Sequence, residues 1–218
     1  MQVGIIGGTG PAGRALGTRL AAHGAQVVLG SRSKERGAEV AAEVLAGVGR
    51  QLSLSGDANE VAAAAEIVVL ATPWEGAVAT ALELAPILSG RVVVSMVNAL
   101  ARVGKEFQAI VPARGSIAAS VQAVLPEVKV SAAFQHLPAR ELGDLDHVLE
   151  CDVLICADHP DAAKATAELV ELVPGLRAVR AGSLASANAV EALTAVLLNV
   201  NIAYKTHVAL KLPGLPER

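Results

Sequence analysis

Residues Gly7 to Gly13, "GGTGPAG", place four glycines in seven positions and contain GxGxxG at Gly8, Gly10 and Gly13. The chemistry available to such a stretch is anion binding. Glycines permit left-handed backbone and let a pyrophosphate approach the main chain, and the tip of a following helix offers N–H groups with partial positive charge. Pro11 suits the first helical turn, where its missing donor costs little. A tight turn without ligand would use the same glycines, so the flanks decide. The apolar run "QVGII" precedes them and a helical run follows, which is the context of a dinucleotide fold.

The end of the second apolar run discriminates between dinucleotides. A free ribose 2′-hydroxyl is met there by Asp or Glu, about 20 residues past the glycines. Here the stretch is "LGSRSKER", with no acid before Glu35. Ser31 can donate to a phosphate, Arg32 can grip it as a fork, and Lys34 or Arg36 can add charge. Cations at a helix start oppose its dipole and want a reason. The spacing therefore predicts NADP(H) over NAD.

Two further loops fall at the carboxyl edge of such a sheet, where ligands bind. The fourth strand leads into Thr72-Pro73-Trp74, with the single tryptophan, whose indole can wall a nicotinamide or pack the next helix. The fifth leads into Met96, Val97 and Asn98, an apolar shelf with one amide. The five histidines, His23, His136, His147, His159 and His207, are scattered, with no metal-ligand spacing to another His or Cys. His136 alone falls near the active edge. We identify no catalytic acid, base or nucleophile and no metal site. Direct hydride transfer between two bound rings needs none, since the protein then supplies orientation and electrostatics.

The elements that must position these residues alternate. Strands are predicted at 2–6, 26–30, 51–55, 66–71, 91–96 and 128–134, and helices at 11–22, 34–47, 58–65, 75–88 and 116–124. Continuous apolar strands separated by helices imply a doubly wound, mainly parallel α/β sheet of the Rossmann type. "CDVLICA" and "GLRAVRA" add two strands around a helix at 160–173, and a long apolar helix at about 186–206 caps the chain. The predicted organisation is a dinucleotide-binding domain over 1–180 and a C-terminal helical segment over 181–218.

Composition narrows the classes. With 218 residues there is room for one sizeable core, and at 2% aromatic content that core must be aliphatic and closely packed. A net charge of -3 and the absence of basic clusters with interleaved aromatics speak against nucleic acid. The apolar run at 192–204 holds two asparagines and falls short of the roughly 20 residues that span a bilayer, so no membrane partner is expected. Cys151 and Cys156, five apart on a strand, point to opposite faces and read as core thiols of a reducing, cytoplasmic compartment.

"GIIGGTGPAGRALGTRLAAHGAQVVLGSR", "ATPWEGA", "VVVSMVNAL", "VSAAFQHLPARELGDLD" and "AGSLASANAVEALTAVLLNVNIAY" together resemble the F420-dependent NADP oxidoreductases, from Gln2 to about Leu212. These enzymes pass a hydride between NADP and the deazaflavin coenzyme F420. The resemblance implies that Thr9, Gly10, Pro11 and Ala12 cradle the pyrophosphate and that Ser31, Arg32 and Arg36 hold the 2′-phosphate. It implies that Pro73 and Trp74 contact the nicotinamide half, and that Met96, Val97, Asn98, Leu100 and Ala139 line the place where the rings stack. The C-terminal helix and the tail near Val208 would close over the deazaflavin and contribute to a homodimer. Gly76 and "SMVNAL" depart from the family's pattern on the electron-acceptor side. Rival readings are an NADPH-binding sensor without catalysis and an NADPH-dependent reductase using a flavin or another small acceptor. An imine reductase of the pyrroline carboxylate type would need a longer helical domain.

Overall fold

The apolar runs pair into one sheet because the central ones, Gln2–Ile6, Ile67–Leu70 and Val92–Ser95, are buried on both faces and have to find a neighbour on either side. In the computed structural model, which describes residues 1–216, the first half of the chain runs β1 (Gln2–Ile6), α1 (Pro11–Ala22), β2 (Gln26–Ser31), α2 (Lys34–Val48), β3 (Leu54–Ala58), α3 (Asn59–Ala63), β4 (Ile67–Leu70), α4 (Trp74–Glu83), α5 (Ala85–Leu88) and β5 (Val92–Ser95). The second half runs β6 (Leu100–Val103), β7 (Glu106–Ala109), α6 (Ile117–Val124), β8 (Lys129–Ala132), α7 (Ala139–Gly143), β9 (Cys151–Ala157), α8 (Pro160–Glu171), β10 (Leu176–Gly182) and α9 (Ala187–Tyr204). Glu217 and Arg218, the end of the 181–218 segment, lie outside the described residues.

The main sheet has eight strands in the order β10-β9-β8-β5-β4-β1-β2-β3. All neighbours are parallel except β8 and β9, which meet antiparallel at Ser131↔Ala157 and Ala132↔Cys156. The doubly wound, mainly parallel fold is thus observed. Strand order reverses between β1 and β4, and the loops after these two strands open the crevice in which such sheets bind ligands. Aliphatic layers cover both faces. Ile5, Leu16, Leu29 and Val69 belong to one, Ile6, Leu70, Val93 and Val121 to the other. Cys151 and Cys156 fall in opposite layers as free, buried thiols, pushed up to about 11 chiefly by burial.

Three expectations about elements need correction. The third strand is Leu54–Ala58, not 51–55, and runs through Gly56. A Cβ on Gly56 would meet the Gly37 carbonyl oxygen at 1.8 Å, so strand and α2 touch backbone to backbone, and the glycine that reads as a strand breaker is the contact point. The helix expected at 75–88 is two, Trp74–Glu83 and Ala85–Leu88, because Pro86 has no N–H to carry the ladder onward. Residues 100–109, read as loop, form a hairpin. Gly104 takes φ 61 in its two-residue turn, a conformation that suits the strand twist and favours glycine.

The α9 asparagines pin other segments. Asn199 accepts from the Phe107 N–H at 2.7 Å and donates to its carbonyl at 2.8 Å, holding the hairpin, while Asn201 accepts from the Val208 N–H at 2.8 Å, holding the tail. Counting the preceding 3₁₀ turn, Leu184–Tyr204 is long and apolar enough to cross a membrane by length and composition, more than the sequence reading allowed. Its inner face packs on the protein through Ala187, Val190, Glu191, Thr194 and Ala195; Val196, Ile202 and Tyr204 are exposed.

Candidate active site

The glycine turn is built from contacts that forbid side chains. Gly7 takes φ 72, and a Cβ there would lie 2.9 Å from the Thr72 methyl, so the loop after β4 rests on the turn after β1. A Cβ on Gly8 would meet the Ile5 carbonyl oxygen at 2.8 Å, and one on Gly13 would meet the Gly8 Cα at 2.9 Å. Gly10 is different. Its φ of -72 is open to any residue, and a Cβ would approach only the Gly7 carbonyl oxygen, at 3.5 Å. Neither backbone strain nor protein packing requires glycine there. The space it leaves stands at the N-cap of α1, where no side chain caps the first-turn donors. This space beside the helix tip fits a pyrophosphate.

Asn59, which the sequence reading missed, holds the turn from beneath. Its buried side chain accepts from the Gly7 N–H at 3.0 Å. A Cβ on Gly30 would come within 2.8 Å of the Asn59 Oδ1, so Gly30 is a packing partner of the glycine turn. The signal in sequence was one Asn opening α3, indistinguishable from an ordinary first-turn residue.

At the end of β2 the three expected phosphate ligands divide. Ser31 is buried with its hydroxyl near the Ser33 N–H at 3.5 Å, at the edge of a hydrogen bond. Ser33 caps α2, accepting from the Arg36 N–H at 3.1 Å. Arg36 is drawn into a 2.6 Å ion pair with Glu39, and Lys34 stands 3.9 Å from Asp57. Arg32 is exposed and makes no ion pair among the described residues, which leaves its fork available to an incoming dianion.

The second half of the site joins elements far apart in sequence. Pro73 caps α4 and Trp74 begins it, half-buried against the β4–β5 layer. Met96 and Val97 are buried, and the Met96 N–H bonds the Leu70 carbonyl. The Asn98 amide donates to the Gln135 carbonyl at 2.9 Å, and the Thr194 hydroxyl of α9 lies 3.2 Å from both that carbonyl and the Asn98 Oδ1. The loops after β5 and β8 are thereby clamped under the covering helix. Phe134, wholly buried at φ 70, turns the chain into this clamp. Buried polar atoms of three side chains here have no partner among the described residues: Thr72 Oγ1, Ser95 Oγ and both amide atoms of Gln135. Unmade hydrogen bonds cost stability, and these three side chains follow or end β4, β5 and β8, the strands whose loops border the site.

Leu100 starts β6 on the hairpin, one step removed from Met96–Asn98. Ala139 opens α7 and shares with Pro11 and Ala15 of α1 and Val44 of α2 a cleft of about 560 Å³, so the start of α7 faces α1. Val208 lies on the tail beside α7, whose Glu141 approaches His207 at 3.6 Å. His136, the histidine expected near the edge, is a core group: its Nε2 accepts from the Leu154 N–H at 3.3 Å, filling the place beside β9 where β8 has ended. Burial lowers it to about 4, so it stays neutral. Among the described residues no cluster of His, Cys, Asp or Glu could hold a metal ion.

Comparison with known proteins agrees with this geometry. Residues 2–99 match the family model described as NADP oxidoreductase, coenzyme F420-dependent. A protein of Methanocaldococcus jannaschii named F420-dependent NADP reductase is 36% identical over 212 residues, 94% of this chain and 95% of that one. A solved structure from Arthrobacter sp. FB24, provisionally described as an F420-dependent NADP-reductase, superposes with a TM-score of 0.80 at 22% identity, covering 95% of this chain and 96% of that one, which speaks for the fold. The Plasmodium falciparum pyrroline carboxylate reductase shares the fold at a TM-score of 0.54 and 16% identity, but the match covers 83% of this chain and 58% of that longer one. With a relative above 30% identity matched over nearly its whole length, the chain belongs to the family of coenzyme F420-dependent NADP oxidoreductases.

Proposed function

We propose that this protein transfers a hydride between NADP(H) and the deazaflavin coenzyme F420. The observation that carries the reading is Gly10: a glycine that the chain's own packing does not need, at the open tip of α1. Thr9, Gly10, Pro11 and Ala12 form the pyrophosphate cradle, Ser31 and Arg32 receive the 2′-phosphate, and Arg36 joins them by exchanging Glu39 for it. Pro73, Trp74, Met96, Val97, Asn98, Leu100 and Ala139 surround the ring pocket, and the tail at Val208 closes it. The two bound coenzymes supply hydride donor and acceptor. The chain's residues orient them and exclude water, and no side chain has to move a proton, consistent with the neutral, buried state of His136.

The exposed apolar face of α9, with Val103 and Val111 beside the hairpin, suits a homodimer contact. Two free thiols fit a reducing, cytoplasmic compartment. The test is to mix the purified protein with NADP+ and reduced F420 and follow the return of deazaflavin fluorescence. Turnover with both coenzymes is expected. Tight NADPH binding without turnover would favour a sensor, and turnover only with a flavin would reassign the acceptor.

A further inference from the structure

Arg19, in the last turn of α1, is 4% exposed and has no ion-pair partner among the described side chains. Its guanidinium is enclosed by backbone carbonyls. It donates to Leu142 at 2.8 Å, to Glu141 at 2.7 Å, to His147 at 3.1 Å and, through the same Nη2, to Asp144. Those oxygens belong to the C-terminal end of α7 and the turn beyond it, where helix carbonyls lack partners and carry partial negative charge. Burial draws the guanidinium's pKa below the usual arginine value and Asp144 opposes this; the group stays charged.

The consequence lies at the other ends of both helices. A helix of five residues without a side-chain N-cap does not hold itself. What holds α7 is the Arg19 fork and the contact of Gly143 with Ala15, where an added Cβ would come within 3.4 Å of the alanine Cβ. At its start α7 carries Ala139, while α1 carries Pro11 at its own start, eight residues and about 12 Å before Arg19 at 1.5 Å per residue. Pro11 and Ala139 line one cleft. A buried cation is an expensive way to join two helices when an apolar residue could pack them, but its planar fork fixes direction as well as contact.

We propose that Arg19 is a positioning residue that sets the nicotinamide-side wall of the active site, locking Ala139 at a fixed distance from the pyrophosphate cradle. The inference rests on the proposed assignment of the site to NADP and of Ala139 to its nicotinamide half. Because Gly8–Gly13 and the end of β2 do not depend on α7, the adenosine half of the coenzyme should be indifferent to Arg19 and the nicotinamide half should not.

The experiment compares wild type, Arg19→Lys and Gly143→Ala by calorimetric titration with 2′,5′-ADP and with NADP+, alongside melting temperature and turnover with reduced F420. Lysine keeps the charge and loses the fork; the alanine adds a methyl at the α7–α1 contact and leaves Arg19 in place. We expect 2′,5′-ADP affinity within twofold of wild type in both variants. NADP+ binding should weaken and kcat fall by tenfold or more in Arg19→Lys, with a smaller change of the same kind in Gly143→Ala. Guanidinium at low millimolar concentration should partly restore NADP+ binding to a folded Arg19→Gly variant. An unchanged ratio of the two affinities with unchanged kcat, whatever the melting temperature, overturns the proposal; if Arg19→Lys does not fold, the ratio in Gly143→Ala decides. Failure of wild type to bind NADP+ would instead sink the functional assignment itself.

Discussion

The two halves of the site are made differently. The proposed dinucleotide half lies on β1, α1 and the end of β2, within 35 residues of chain, and Gly7, Gly8 and Gly13, though not Gly10, are dictated by contacts of a few ångströms. The ring half is assembled from the ends of β4, β5 and β8 and from α9, where Asn98, Gln135 and Thr194 meet across 96 positions. The first is preformed and specific by geometry. The second keeps buried polar atoms unspent, and its specificity waits for the ligand.

The largest effects should separate packing glycines from the ligand glycine. Gly8→Ala forces a methyl against the Ile5 carbonyl and should destabilise the fold by about 1–3 kcal/mol, the usual cost of overpacking, besides abolishing NADP binding. Gly10→Ala should leave the melting temperature nearly unchanged while NADP affinity falls by roughly 100-fold, since one methyl displaces charge-assisted bonds worth about 1.5–3 kcal/mol each. Equal melting losses in the two variants would erase the distinction between them.

Next in size is the 2′-phosphate. Arg32→Ala should weaken NADP by about 2 kcal/mol and leave NAD unchanged, through loss of a charge-assisted fork. Arg36→Ala should cost less than Arg32→Ala, because its exposed pair with Glu39 has to be exchanged for the phosphate. A reversed order, read by titration, would move the phosphate site from the strand end to the helix.

In the ring half, Gln135→Leu should hold or raise the melting temperature, because an unpartnered amide leaves the core, while F420 binding weakens by about 1–2 kcal/mol and 2′,5′-ADP binding is untouched. A fall in melting temperature with F420 affinity intact would make Gln135 a structural residue.

The smallest effect is a pH slope. Glu191 of α9 accepts from the Ile117 and Ala118 N–H groups at 2.9 and 3.1 Å; burial pushes its carboxyl up to about 7 and these bonds pull it back. Between 4.5 and about 7 the folded protein keeps a proton that the unfolded chain has released, so this contribution to stability falls as pH rises. His136 runs the other way: between about 4 and 6.5 the unfolded chain binds a proton that the folded protein refuses, so its contribution grows with pH. Glu191→Gln should therefore make melting temperature rise more steeply with pH from 4.5 to 6.5. A curve parallel to wild type would show that the carboxyl titrates normally.

The sequence by itself determined the parallel sheet, the glycine turn and the Ser31-Arg32 strand end, because each is a local pattern: continuous apolar strands, glycines between strand and helix, no acid where a ribose hydroxyl would need one. Tertiary structure alone decided which glycine of the turn the chain's own packing does not need, that Glu39 occupies Arg36 while Arg32 has no ion pair among the described residues, and that His136 belongs to the core. It also decided the roles of Asn59, Gln135 and Arg19. Asn59 and Arg19 act through partners 52 to 128 positions away and Gln135 through a partner missing among the described residues, and residue type carries no record of either. The physical reason is that hydrogen bonds and van der Waals contacts act over a few ångströms of space: where space follows chain order the sequence displays them, and where strands cross over only the fold does.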